Sequence, residues 1–219
     1  MRIEMKKFSG VGVALVTPFD ETGRVDEHSL RNLVNYVIDG GVDYLVALGT
    51  TSEAATMTAE ERAFVVRVIA EENAGRLPIV LGIGGNNTEQ VIHDLATLPY
   101  LQLGDAILSV TPYYNKPSQQ GLYNHFKAIA EHTPLPVILY NVPGRTSVNM
   151  TAAITLKLAR DFENIIAIKE ASGNFEQATA IISGMPKNFI FLSGDDGIAL
   201  PLVSIGASGV ISVIANVMP

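Results

Sequence analysis

An apolar run, Ile165, Ile166, Ala167 and Ile168 in "NIIAIKEASG", ends on Lys169. Other runs of the same kind end on groups suited to carbonyl chemistry. "YLVALGTT" leads into Thr50 and Thr51, "AILSVTPYYN" into Tyr113 and Tyr114, and "PVILYNVPGRT" carries Tyr140 and Arg145. An amine condenses with a ketone, phenols move protons, and a guanidinium grips a carboxylate through two parallel hydrogen bonds. To attack a carbonyl, Lys169 must be neutral. A free lysine titrates near ~10.4, and lowering that to ~7–8 means destabilising the ammonium by roughly 3–4 kcal/mol. Burial among Ile166, Ile168 and a strand-lined interior is expected to supply that penalty. A Glu170 carboxylate pointing inward would oppose it, but strand alternation aims Glu170 outward.

Other chemistries lack their hardware. The sequence has no HExxH, no P-loop and no cysteine. His28, His93, His125 and His132 fall in segments expected to be helical or at their ends, remote from these strand tips, so a metal site is not expected. Fifteen basic against 22 acidic residues give a net charge of −7. That field repels nucleic acid and anionic membranes, so an anionic substrate must be held by local groups. The N-terminus "MRIEMKKFSG" has no apolar signal-peptide core. The apolar runs, about seven residues at most, fall far short of the ~20 that span a bilayer, so a soluble cytoplasmic protein is expected.

The elements that must position these groups follow from patterning. Hydrophobic residues make up 47% of 219, charged residues 17%, and mean hydropathy is +0.26, which suits a chain with a sizeable buried core. Short apolar, β-branched runs recur: "VGVALVTPF", "YLVALGT", "PIVLGIGG", "AILSVTPYY", "PVILYNVP", "IIAIKEASG", "FIFLSGDD" and "GVISVIAN". Between them lie amphipathic segments. "DEHSLRNLVNYVIDGG" puts Leu30, Leu33, Val34, Val37 and Ile38 on one face, and "TAEERAFVVRVIAEENAG" opens with Thr58 and Glu61 as a capping box. "SQQGLYNHFKAIAEH" and "TAAITLKLARDF" share the pattern. Uniformly apolar strands alternating with helices predict a parallel sheet buried on both faces. With eight of them and no Gly-rich phosphate loop after the first, a single (β/α)8 barrel spanning residues 1–219 is expected. Its chemistry belongs at the C-terminal ends of the strands, where the groups above lie. "IANVMP" follows the eighth strand directly, so the eighth helix and any C-terminal helical region are expected to be missing. Apolar surface over the first and last strands should then face water.

Taken together, "VTPYYNKPSQQGLYNHFKAIAEHT", "ILYNVPGRT", "IKEASGN" and "LSGDD" resemble the pyruvate-dependent aldolase superfamily of dihydrodipicolinate synthases and N-acetylneuraminate lyases, the former branch more closely. The likeness runs from "GVGVALVTPF" to "GVISVIANV". It implies condensation of pyruvate with L-aspartate 4-semialdehyde, without a cofactor, through a Schiff base on Lys169. Tyr140 is implied as the general acid/base and Thr50 as its proton relay. Tyr114 is implied to complete the relay from a neighbouring subunit of a homodimer or homotetramer. Thr51 is implied to hold the pyruvate carboxylate and Arg145 that of the semialdehyde, while Gly194 and Ile211 line the pocket with backbone. The alternatives are another 2-keto-acid lyase, such as one acting on sialic acid, or an inactive or non-catalytic form.

Two local departures stand out. "GTTSEA" puts Ser52 where the family has glycine, which questions the turn geometry there. Ala54, Ala59, Arg62 and Gln90 replace the serine, histidines and acidic residue of lysine-inhibited members, although Asn86 and Tyr113 are kept, so weak or absent lysine feedback is expected.

Overall fold

A computed structural model describes residues 5–219. Eight parallel strands close a barrel in sequence order: β1 Gly10–Ala14, β2 Tyr44–Ala47, β3 Ile79–Gly82, β4 Ala106–Val110, β5 Val137–Asn141, β6 Ile165–Glu170, β7 Ile190–Ser193 and β8 Gly209–Ser212. β8 pairs back onto β1. The eight apolar runs each contain one strand, as the (β/α)8 expectation requires. Outside lie α1 Glu27–Asp39, α2 Ala59–Asn73, α3 Thr88–Thr97, α4 Gln119–His132, α6 Ala152–Asp161, α7 Phe175–Gly184 and α8 Ala199–Ser204, with α5 Pro143–Thr146 a single turn after β5.

Helix starts are written locally. Asp26, Thr58, Asn87, Ser118 and Asn174 each use a side-chain oxygen to accept a backbone N–H of the first turn, satisfying donors that a helix cannot pair internally. The Thr58–Glu61 capping box closes in both directions.

The strands divide two apolar layers. Val13, Leu45, Leu81, Ile107, Leu139, Ile168 and Phe191 face outward and pack beneath the helices. Ala14, Tyr44, Val46, Val80, Leu108, Ile138, Tyr140, Leu192 and Ile211 fill the barrel. Tyr44 lies edge-on to Phe8 at 5.9 Å, and a Cβ at residue 12 would sit 2.1 Å from its ring, so only Gly12 fits there. The pairing of β5 with β6 skips Ile166: Val137 lies opposite Ile165, and Ile138 opposite Ala167. This bulge keeps Ile166 in the inner layer, puts Ala167 and Lys169 inside, and turns Ile168 and Glu170 outward. Ile168 therefore does not surround the amine as expected from the sequence; as the immediate neighbour of inward Lys169 it alternates to the helix-facing layer.

After β8 the chain makes one 3₁₀ turn, Ile214–Asn216, and its Asn216 accepts from Val16 N–H and donates to the Ala14 carbonyl. Leu200, Val203, Ile214, Val217 and Met218 are exposed around this turn, so the apolar surface expected there faces solvent. Among the described residues no helix is long and apolar enough to cross a membrane.

Candidate active site

Lys169, at the inner face of the β6 tip, is only 5% exposed. Burial pulls its ammonium down from 10.5 to about 8; the Asp196 carboxylate pulls it partly back up, and the Arg145 guanidinium adds to the fall. Its Nζ lies 4.5 Å from the centre of the Tyr140 ring, its direct neighbour across the β5–β6 ladder. The Tyr140 phenol is pushed above 10 by burial, while Arg145 and the Thr50 hydroxyl pull it down. An amine that is partly neutral at mild pH thus sits against a phenol under the influence of a hydroxyl and a cation.

Gly194 follows β7. A Cβ there would meet the Ala171 Cβ at 2.7 Å and Lys169 Cε at 3.2 Å, so the missing side chain is what lets β7 close on the lysine stem. Ile211, buried at 1% exposure on β8, lines the inner layer with Tyr140 and Leu192. Thr50 and Thr51 lie in a 3₁₀ turn, Thr50–Ser52, framed by left-handed Leu48 (φ 56°) and Glu53 (φ 62°). Left-handed backbone at a non-glycine residue carries strain of order 1 kcal/mol or more, and it concentrates here at a strand tip. Ser52 itself avoids positive φ and bonds its hydroxyl to the Gly49 carbonyl at 2.7 Å, so serine suits the turn.

A cleft of about 760 Å³ opens over this rim, with Thr50, Tyr140, Val142, Arg145 and Thr146 on its inner wall. Lys169 does not line this cleft; it reaches the cleft wall through its contact with the Tyr140 ring. The cleft extends outward between α2 and α3 past Ala54, Ala59, Arg62, Gln90 and Tyr113, which gathers most of the feedback positions singled out in the sequence. His93 lines this outer arm as well. Its α3 segment is helical as expected, and His93 meets the cleft on this α3 side. Tyr114 is not gathered into the site: it is 90% exposed with φ of 73°, on the loop between β4 and α4.

Sequence reasoning gave Asp196 no role. Its Oδ2 accepts from the N–H groups of Val213 and Ile214 at 2.9 and 3.1 Å, binding the β7 loop to the end of β8, and its charge acts on Lys169. The only signal was a paired acid at a strand tip in "LSGDD". Among the described residues no group of three His, Asp or Glu side chains could hold a metal.

Fold and site together define a (β/α)8-barrel enzyme with a desolvated amine at its catalytic rim. Residues 7–219 match the dihydrodipicolinate synthetase family, and the chain belongs to that family. It is 56% identical over 215 residues to the 4-hydroxy-tetrahydrodipicolinate synthase of Flavobacterium psychrophilum, covering 98% of this chain and 73% of that one. Among solved structures, a dihydrodipicolinate synthase from Bacillus anthracis superposes with a TM-score of 0.91 at 44% identity, over 96% of this chain and 72% of that one. A variant characterised as the first monomeric dihydrodipicolinate synthase gives a TM-score of 0.94 at 39% identity, over 99% and 73%.

Proposed function

We propose that this chain is a lyase that condenses pyruvate with L-aspartate 4-semialdehyde to give 4-hydroxy-tetrahydrodipicolinate, a step towards diaminopimelate and lysine. The observation that carries the reading is Lys169, buried, held near a pKa of about 8 and stacked on Tyr140.

The neutral Lys169 amine adds to C2 of pyruvate, and loss of water, with protons passed by Tyr140 and Thr50, leaves an iminium. This cation withdraws electrons from the methyl group, whose proton leaves to give an enamine, so no resident cofactor is needed. The enamine carbon attacks the aldehyde of the second substrate. The amino group of that substrate then attacks C2, displaces Lys169 and closes the ring. Tyrosine alone, near 10, is a sluggish proton carrier at neutral pH, and Thr50 and Arg145 both draw Tyr140 down from the value burial imposes. Thr51 holds the pyruvate carboxylate beside Lys169, and Gly194 and Ile211 close the pocket with backbone. Arg145, on the exposed α5 turn at the mouth, receives the carboxylate of the semialdehyde in a geometry lysine cannot reproduce.

Tyr114, 90% exposed and not part of the cleft of its own chain, completes the relay from a second copy, so full activity is expected of a dimer or larger assembly. A coupled assay supplying pyruvate with aspartate semialdehyde in parallel with N-acetylneuraminate tests the assignment. Turnover of the first alone supports it, and cleavage of the second alone overturns it.

A further inference from the structure

Behind the catalytic face, the outward residues of the same two strand tips form a polar cluster that the reaction does not use. Glu170, next to Lys169, is 3% exposed. Its carboxylate accepts from Asn141 Nδ2 at 3.2 and 3.0 Å, from Gln177 Nε2 at 3.0 Å and from Ser172 N–H at 2.7 Å. These donors are uncharged amides. A buried carboxylate satisfied only by neutral donors is costly, and a leucine or a glutamine would be the cheaper filling of a helix–strand seam.

The partners explain the expense. Asn141 stands directly across the ladder from Glu170, one residue beyond the Tyr140–Lys169 pair. Inward residues and outward residues therefore form two adjacent cross-strand pairs, and the outward one is closed by hydrogen bonds on both carboxylate oxygens. Asn141 Oδ1 also accepts Met150 N–H at 2.9 Å, and its amide donates to Asn149 Oδ1 at 2.8 Å. Gln177, in the first turn of α7, exchanges hydrogen bonds with Asn149 at 2.8 and 3.2 Å. The segment 147–150 follows the α5 turn that carries Arg145. One carboxylate thus ties the tips of β5 and β6, the start of α7 and the exit of the Arg145 turn.

We infer that Glu170 is a positioning residue for the reaction: its buried carboxylate locks the β5 and β6 tips so that Lys169 and Tyr140 keep the separation imine formation needs. This rests on the imine reading above. A carboxylate does this where an amide does not, because all its lone pairs accept and every donor facing it is an N–H. Glutamine would aim its own NH₂ at one of those donors and release that tip.

The test is Glu170→Gln in the full chain, following the rate constant of pyruvate-imine formation by borohydride trapping on Lys169, together with kcat and KM for both substrates. Displacing reacting groups by a fraction of an ångström is expected to slow trapping and kcat by about tenfold or more, with KM for the aldehyde within about twofold. A role confined to stability would lower the melting temperature and the trapped amplitude but leave the rate constant alone, and an unchanged rate constant overturns the inference. Should Glu170→Gln not fold, Gln177→Ala removes one half-buried donor at the helix start. It is expected to slow trapping by about threefold, and native-rate trapping in that variant overturns the inference equally. Absence of any adduct in the native chain overturns the imine reading and this inference with it, whereas an adduct formed at equal rates in native and variant chains overturns this inference alone.

Discussion

At the residue scale the molecule spends stability on one amine. Holding Lys169 down from 10.5 to about 8 costs its ammonium form about 3 kcal/mol. The folded value lies below the unfolded one, so the cost is present in full below pH 8 and fades as pH rises towards 10.5. Lys169→Met is therefore expected to abolish turnover while raising the melting temperature at pH 7, a gain that shrinks by pH 10; thermal scans at both pH values check it. In the native chain the neutral fraction grows as pH passes through about 8, so the imine-formation rate should climb from pH 7 to 9 and level off. Tyr140→Phe keeps the ring against Lys169 but removes the proton carrier, and kcat is expected to fall by about 10²–10⁴.

At the element scale, what the sequence discloses is set by how local the determining physics is. The strands were legible because each is an uninterrupted apolar run, and α2 because Thr58 and Glu61 spell out its start. The bulge at Ile166 was not, since it arises from registering β5 against β6 across the barrel. It decides that Ile166 and Ala167, neighbours in sequence, both face the barrel interior with Lys169. The burial of Glu170 and the reach of Asp196 to the end of β8 are likewise contacts between segments distant in sequence. Ser52 shows the converse: the glycine position looked doubtful, yet the turn places its left-handed residues at Leu48 and Glu53. Asp196→Asn tests the strand-tip bracing. It removes a charge that pulls Lys169 upward, so the acidic limb of the imine-formation profile should move to lower pH. A limb that stays in place assigns Asp196 to bracing alone.

At the scale of the whole molecule the barrel carries a second buried base. His125 on α4 is pulled down to about 4 by burial, its Nδ1 lies 2.8 Å from Thr88 Oγ1, and its Nε2 has no partner among the described residues. Unfolding lets it protonate near 6.5, so stability should drain away as pH falls from 6.5 towards 4. His125→Leu should flatten that part of a stability–pH curve measured by urea titration. The outer arm of the cleft, with Arg62 and two alanines in place of ligands for a cation, should leave turnover nearly unaffected by millimolar L-lysine. The fold and the chemistry converge on one nitrogen, and peptide mass mapping after incubation with pyruvate and borohydride tests it most directly. The account predicts a reduced pyruvyl adduct on Lys169 and on no other lysine; a native, folded chain that stays unmodified there would contradict it.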